Sequence, residues 1–231
     1  MQRWRFAIWY LAILPLAARL LVELGLYASR TPAGRPGDLI ESRDGSVHLV
    51  ACDRVYVSKA PTTFRPLATL PGALPRMLLY QEDQAFYEHR GFSAREIRIA
   101  IWEYLIGDAP LRGASTISQQ LARTLFLSQR RSLRRKLIEF RMARVLEARL
   151  SKDRILELYL NHVYWGGQAF GVDSASRQYF GVAPQNLNRE QVAFLVSLLP
   201  SPALCHGSAP CAHPVIRRRA DRLLQHVQPE S

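Results

Sequence analysis

The stretch RRSLRRKLIEFRMARVLEARLSKDRILELYLNHVYWG, Arg130 to Gly166, decides the fold class. Apolar side chains recur at helical spacing on both sides of Ser151, which predicts consecutive helices over 132–150 and 152–161. Ser151 is a good N-cap for KDRILELYLN, with Asp153 near the positive end of that helix. In the first helix Glu139, Met142 or Ala143, Leu146 and Leu150 share one stripe, which sets Glu139 at the edge of the apolar face. Arg135 stands four residues before Glu139; a solvated ion pair is the ordinary account of that spacing, and such pairs are weak.

Working outward, helical spacing also runs through 76–89, 94–106, 115–127, 171–179 and 189–199, so the chain from Arg76 onward reads as mainly α. Within residues 39–75, VHLVA and RVYVS alternate as one or two short strands would, and four prolines follow. Residues 29–38, SRTPAGRPGD, read as a linker. Before it, FAIWYLAILPLAARLLVELGLY (Phe6 to Tyr27) is interrupted only by Arg19 and Glu23 and matches the roughly 20 apolar residues that cross a bilayer. Arg3 and Arg5 precede it, which predicts a cytoplasmic N-terminus and the remainder outside. Without a clear small-x-small cleavage site the span reads as a single-pass anchor over 1–28, not a signal peptide. EIRIAIWEYLIG, Glu96 to Gly107, is too apolar for a solvent-facing helix; it reads either as core or as a surface helix dipping into the membrane interface.

Charge narrows the partners. Lys and Arg number 31 against 19 Asp and Glu, a formal charge of +12, and only Lys59, Lys136 and Lys152 are lysines. That excess suits nucleic acid, an anionic membrane surface or a phosphorylated substrate, and arginine's planar fork suits phosphate. Cys205-His206 and Cys211-Ala212-His213 resemble a metal cluster superficially. With prolines throughout and no second motif, a disulfide or two unpaired thiols fits better.

Against this basic background, QEDQAFYEHRGFS (Gln81 to Ser93) gathers acids, a histidine and aromatics. As part of a helix over 76–89, it would place Glu82, Phe86 and His89 on one face. A carboxylate beside an aromatic and an imidazole suits a catalytic acid or base, because partial burial raises its pKa; a mixed-charge surface helix is the ordinary alternative. In RGASTISQQLARTLFL (Arg112 to Leu127), Gly113 to Thr116 form a small polar lead-in to a helix. Its N–H groups and two hydroxyls can hold an anion, with Thr116, Gln120 and Arg123 following along one face. An ordinary capped helix is the alternative there.

Taken in order, these runs resemble the glycosyltransferase domain of penicillin-binding proteins (glycosyltransferase family 51), especially its monofunctional membrane-anchored members. The family's E-D-x-x-F-x-x-H-x-G is matched by Glu82, Asp83, Phe86, His89 and Gly91, and its G-G-S-T-I-T-Q-Q-L-A-K/R-N by GASTISQQLART. R-K-x-x-E is matched by Arg135, Lys136 and Glu139, S-K-x-x-I-L-E-x-Y-L-N by Ser151 through Asn161, and G-x-x-A-S-x-x-Y-F-G by GVDSASRQYFG. Ala114, Ser118 and Thr124 stand where the motif has Gly, Thr and Asn. The similarity covers about residues 75–200 and thins past Pro202.

The resemblance implies a lysozyme-like, helical two-lobe domain over 39–231 that polymerises lipid II, with the growing glycan chain as donor. It implies Glu82 as the base on the attacking sugar hydroxyl and Glu139 as the second catalytic carboxylate. Asp83, Phe86, His89, Ser115, Thr116, Gln119, Gln120, Arg123, Arg135, Lys136 and Asn161 are implied to bind substrate. Lipid II, the glycan chain, the membrane and cell-wall synthesis proteins are the partners expected, and nucleic acid is not. No protein metal site is expected, while a divalent cation, Mg or Mn, is left open as a cofactor. A lysozyme-like hydrolase and a membrane-tethered binding protein without catalysis are the rival readings.

Overall fold

A computed structural model of the chain describes residues 39–41, 47–51, 54–57, 63–92, 115–127, 133–205 and 210–228. The chain divides into two units, Met1–Gly37 and Asp38–Ser231, and every element named below belongs to the second. The expected anchor and the Glu96 to Gly107 segment lie outside the described residues, among which no helix is long and apolar enough to cross a membrane.

The described fold is mainly helical. Its seven α-helices are α1 (Ala73–Glu82), α2 (Ile117–Phe126), α3 (Leu133–Arg149), α4 (Lys152–His162), α5 (Val172–Phe180), α6 (Arg189–Leu198) and α7 (Pro214–His226). Strands β1 (Leu39–Glu41), β2 (Val47–Ala51) and β3 (Arg54–Val57) form an antiparallel sheet in that order, with Leu49 opposite both Leu39 and Tyr56. A second hairpin pairs β4 (Tyr164–Gly166) with β5 (Ala169–Phe170).

Helix α2 packs on α3 and α4, and α6 packs on α1 and α7. The stripe read from the sequence of α3 is buried as expected, with Met142, Ala143 and Leu146 in the core against Leu121, Ala122, Ile155 and Tyr159. Ser151 caps α4, its Oγ accepting from the Arg154 N–H at 3.2 Å, and Asp153 lies in the first turn. Asn188 and Gln191 cap α6 reciprocally.

Two expectations change. The helix expected over 76–89 ends at Glu82, because Asp83 leaves helical geometry (φ −163°, ψ 78°) while its N–H still closes on the Leu79 carbonyl. Phe86 therefore sits in a turn and His89 in the bend after it, and the shared helical face of Glu82, Phe86 and His89 does not exist. The loop ends at Gly91, whose φ of +89° and close approach to the Ala143 backbone both favour glycine. Helix α7 was absent from the periodic segments; Pro214 at its first turn and His213 at its N-cap start it, and Ile216 and Leu223 bury it. Cys205 and Cys211 are joined by a disulfide, with Cα atoms 5.7 Å apart.

Candidate active site

The C-terminal end of α1 delivers two adjacent carboxylates to different tasks. Asp83 is buried; one carboxylate oxygen accepts from the Ile117 N–H at 3.0 Å, and both lie 3.0 Å from His89 Nε2. Thr116 caps α2, its Oγ1 accepting from the Gln119 N–H (3.3 Å) and donating to the Gly91 carbonyl (2.9 Å). The Ile117 N–H at the start of α2 is thus taken by the protein's own Asp83 carboxyl. Below it the loop is fixed by buried Phe86, whose ring lies 4.4 Å from Lys152 Nζ. The Tyr87 hydroxyl donates to Asp153 at 2.8 Å, and burial followed by that carboxylate pushes the phenol up to about 12.

Glu82 turns instead toward the side of α2. Gln120 Nε2 donates to Glu82 Oε2 at 2.8 Å and reaches the Ser115 carbonyl at 3.4 Å, while Gln120 Oε1 accepts from the Tyr159 hydroxyl at 2.9 Å. Burial pushes the Glu82 carboxyl above the usual carboxylate range; the Gln120 amide, Arg219 and Arg123 pull it back, and Asp83 adds to the rise. Its basicity is thus raised while its cationic neighbours still favour the ionised form.

A second cluster begins at Ser115 and runs along α3. Lys136 Nζ donates to Ser115 Oγ (2.9 Å), Gln119 Oε1 (3.0 Å) and Glu139 Oε1 (2.6 Å), so each of its three protons has an acceptor. Arg135 Nη1 donates to the other Glu139 oxygen at 3.2 Å. The Glu139 side chain is wholly buried, whereas that of Lys136 is 45% exposed. An ammonium pinned by neutral and anionic acceptors, yet open on one side, can meet an incoming anion. Ser115 joins the clusters, its carbonyl facing Gln120 and its hydroxyl facing Lys136.

Of the residues expected at the site, Glu82, Ser115, Gln119, Gln120, Lys136, Arg135 and Glu139 lie in this connected network, with the charge of Arg123 acting on Glu82. Asp83, Thr116, Phe86 and His89 build the loop and the cap behind it. Asn161 is placed elsewhere: its Nδ2 donates to the Arg65 and Glu157 carbonyls, both at 2.8 Å, and its Oδ1 accepts from the Arg65 N–H at 2.7 Å. Ser118, standing for the motif's Thr, donates to Glu147, which also accepts from Lys152.

Two residues were missed. Tyr159 lies inside a quoted motif but carries no sign of its role, because an apolar helix face hides which hydroxyl reaches a polar partner. Arg219 comes from α7, its Nη1 and Nη2 donating to the Ser197 carbonyl (3.3 Å) and Ser201 Oγ (3.4 Å). The 3.6-residue spacing of Ile216, Ala220, Leu223 and Val227 is the signal that reveals α7. Among the described residues no three His, Cys, Asp or Glu side chains converge as metal ligands, and Glu82 and Glu139 are each committed to protein donors.

A sequence model described as Transglycosylase matches residues 52–228. The chain is 40% identical over 164 residues to the biosynthetic peptidoglycan transglycosylase of Ectopseudomonas mendocina (strain ymp), covering 71% of this chain and 66% of that one. Likeness to the protein of that name from Pseudomonas fluorescens (strain Pf0-1) is 38% over 165 residues, 71% and 68% of the two chains. For the one from Nitrosospira multiformis it is 41% over 141 residues, 61% of each. The match thus spans about two thirds of these relatives' length. The chain belongs to the transglycosylase family.

Proposed function

From a transglycosylase-family chain that joins a basic carboxylate to a lysine–arginine cluster, we infer a peptidoglycan glycosyltransferase that polymerises lipid II into β-1,4-linked glycan strands. The single observation that carries the reading is the hydrogen-bonded path from Glu82 through Gln120 and Ser115 to Lys136 and Glu139. Glu82 removes the proton from the 4-hydroxyl of the incoming lipid II as that oxygen attacks C1 of the growing chain. The bond from C1 to the undecaprenyl pyrophosphate oxygen breaks on the opposite face, which inverts the α-linkage to β. Charge grows on the departing pyrophosphate, and Lys136, Arg135 and Arg123 stabilise it, with Glu139 holding Lys136 in place. Ser115, Gln119 and Gln120 position the donor beside that cluster.

The same reading gives a lysozyme-like, two-lobe domain over 39–231, a linker over 29–38 and a single inner-membrane anchor over 1–28. The catalytic domain then lies on the periplasmic side, beside the lipid substrate and cell-wall synthesis proteins, with the membrane in place of nucleic acid as the anionic surface. The test is the full chain in detergent with labelled lipid II. Polymer is expected from the natural protein, and Glu82→Gln is expected to lose about 100-fold or more in rate with its fold intact. Near-normal polymerisation by that variant removes Glu82 as the base; cleavage of preformed glycan without polymer assigns a hydrolase instead.

A further inference from the structure

We propose that Tyr159 is a positioning residue that locks the Gln120 side-chain amide with its N–H toward Glu82, and so keeps Glu82 a proton acceptor throughout the reaction. The proposal rests on the reading of Glu82 as the base. Tyr159 is fully buried in α4, and Gln120 Oε1, 2.9 Å away, accepts its proton. The phenol cannot ionise in the working range, since burial first and the nearby Glu82 charge second push it well above its ordinary value, while Arg123 only partly opposes them. The neutral phenol has one proton to give, and giving it to Gln120 Oε1 turns Nε2 to Glu82 at 2.8 Å.

That orientation matters most after the proton has moved. An ionised Glu82 would by itself draw the amide N–H. A protonated Glu82 would prefer the amide turned over, with its carbonyl accepting the new O–H and stabilising the acid form. Tyr159 opposes the turn: its oxygen can accept from a turned Nε2, but its buried proton is then left without an acceptor. Glu82 then meets an N–H in both protonation states, an arrangement that favours the carboxylate. The other charges facing Glu82 are Asp83 beside it in the chain, Arg123 from α2 and Arg219 from α7. The hydrogen bond described for the Tyr159 hydroxyl is the one to Gln120, so its removal reaches Glu82 through the amide.

Tyr159→Phe keeps the ring and deletes the donor. In the full chain with lipid II at neutral pH, kcat is expected to fall about tenfold, the upper worth of one neutral hydrogen bond, with KM within about twofold. The acid limb of the rate profile moves to higher pH, so the deficit shrinks on the alkaline side. A deficit equal at every pH is what a merely structural tyrosine gives, and it overturns the proposal. An infrared titration of the Glu82 carboxyl, identified by its loss in Glu82→Gln, needs no turnover: Glu82 is expected to protonate at higher pH in Tyr159→Phe than in the natural protein. An unchanged titration overturns the lock. Gln120→Met is expected to move the titration in the same direction, and adding Tyr159→Phe to it to move nothing more; a further shift also overturns it. If Tyr159→Phe does not fold, Gln120→Met decides, since an unmoved Glu82 there refutes control by the amide. Absence of polymer from the natural protein defeats the functional reading instead, while the titration still tests the lock.

Discussion

Lys136→Met separates what the lysine does for the fold from what it does for the reaction. In the natural protein its ammonium lies 2.6 Å from a carboxylate oxygen of the wholly buried Glu139. At an effective dielectric of about 20 that contact is worth about 6 kcal/mol before desolvation is subtracted. The lysine side chain is 45% exposed, so solvent screening discounts the figure. Arg135, at 3.2 Å, still neutralises Glu139 in part. A net loss of about 1–3 kcal/mol is therefore expected for Lys136→Met, less than the full cost of orphaning a buried charge. Glu139→Gln should cost about 1 kcal/mol, and the double variant less than the sum, with a coupling of about 1–2 kcal/mol in urea denaturation of the full chain in detergent. Turnover should behave differently: Lys136→Met loses about 100-fold or more, and the double variant does not regain it, because the missing charge served the leaving pyrophosphate. A coupling below about 0.5 kcal/mol refutes the claim that Glu139 holds Lys136. Full recovery of turnover in the double variant refutes the phosphate role.

Because burial raises the Glu82 pKa in the folded protein, the native state binds more protons than the unfolded chain once pH exceeds the ordinary value of 4.5. Stability should fall as pH rises from there to the folded pKa, and Glu82→Gln should flatten that slope and melt higher at neutral pH; identical melting profiles contradict the assignment. Asn161→Ala removes three hydrogen bonds that hold Arg65 and the end of α4, and should cost about 2–3 kcal/mol in urea denaturation. Its kcat per folded molecule should stay near that of the natural protein, and a selective loss of kcat would restore Asn161 to the substrate. Reducing Cys205–Cys211 opens a loop of sequence separation 6, worth about 2 kcal/mol by loop entropy, and should lower the melting temperature by several degrees.

The helices were legible wherever one face is apolar and the ends carry chemical stops, as at Ser151 and along the Met142–Leu146 stripe. The reading overran at Asp83 because the competing partner that pulls its carboxylate away, the Ile117 N–H, is distant in sequence. It passed over α7 because RRR interrupts a short apolar period. At the site, spacing located Glu82 and the Arg135, Lys136 and Glu139 group but not their tasks. Thr116 and Ser115 look equivalent in sequence, yet one hydroxyl is spent on the Gly91 carbonyl and the other accepts from Lys136. Which hydroxyl faces which partner depends on packing between helices, and so did the role of Tyr159.

The adjacent pair Glu82 and Asp83 has a mechanical consequence. Asp83 is bound to the first residue of α2 and Glu82 to the fourth, Gln120. The end of α1 is thereby fastened to α2 at two points about a helical turn apart, which removes both sliding and pivoting between them. Glu82 and the helix that carries Gln120 consequently behave as a gauge of fixed width. On the proposed reading, a strand lengthened by one lipid II unit at a time would have to move past that gauge, and each new unit would meet Glu82 at the same setting as the one before.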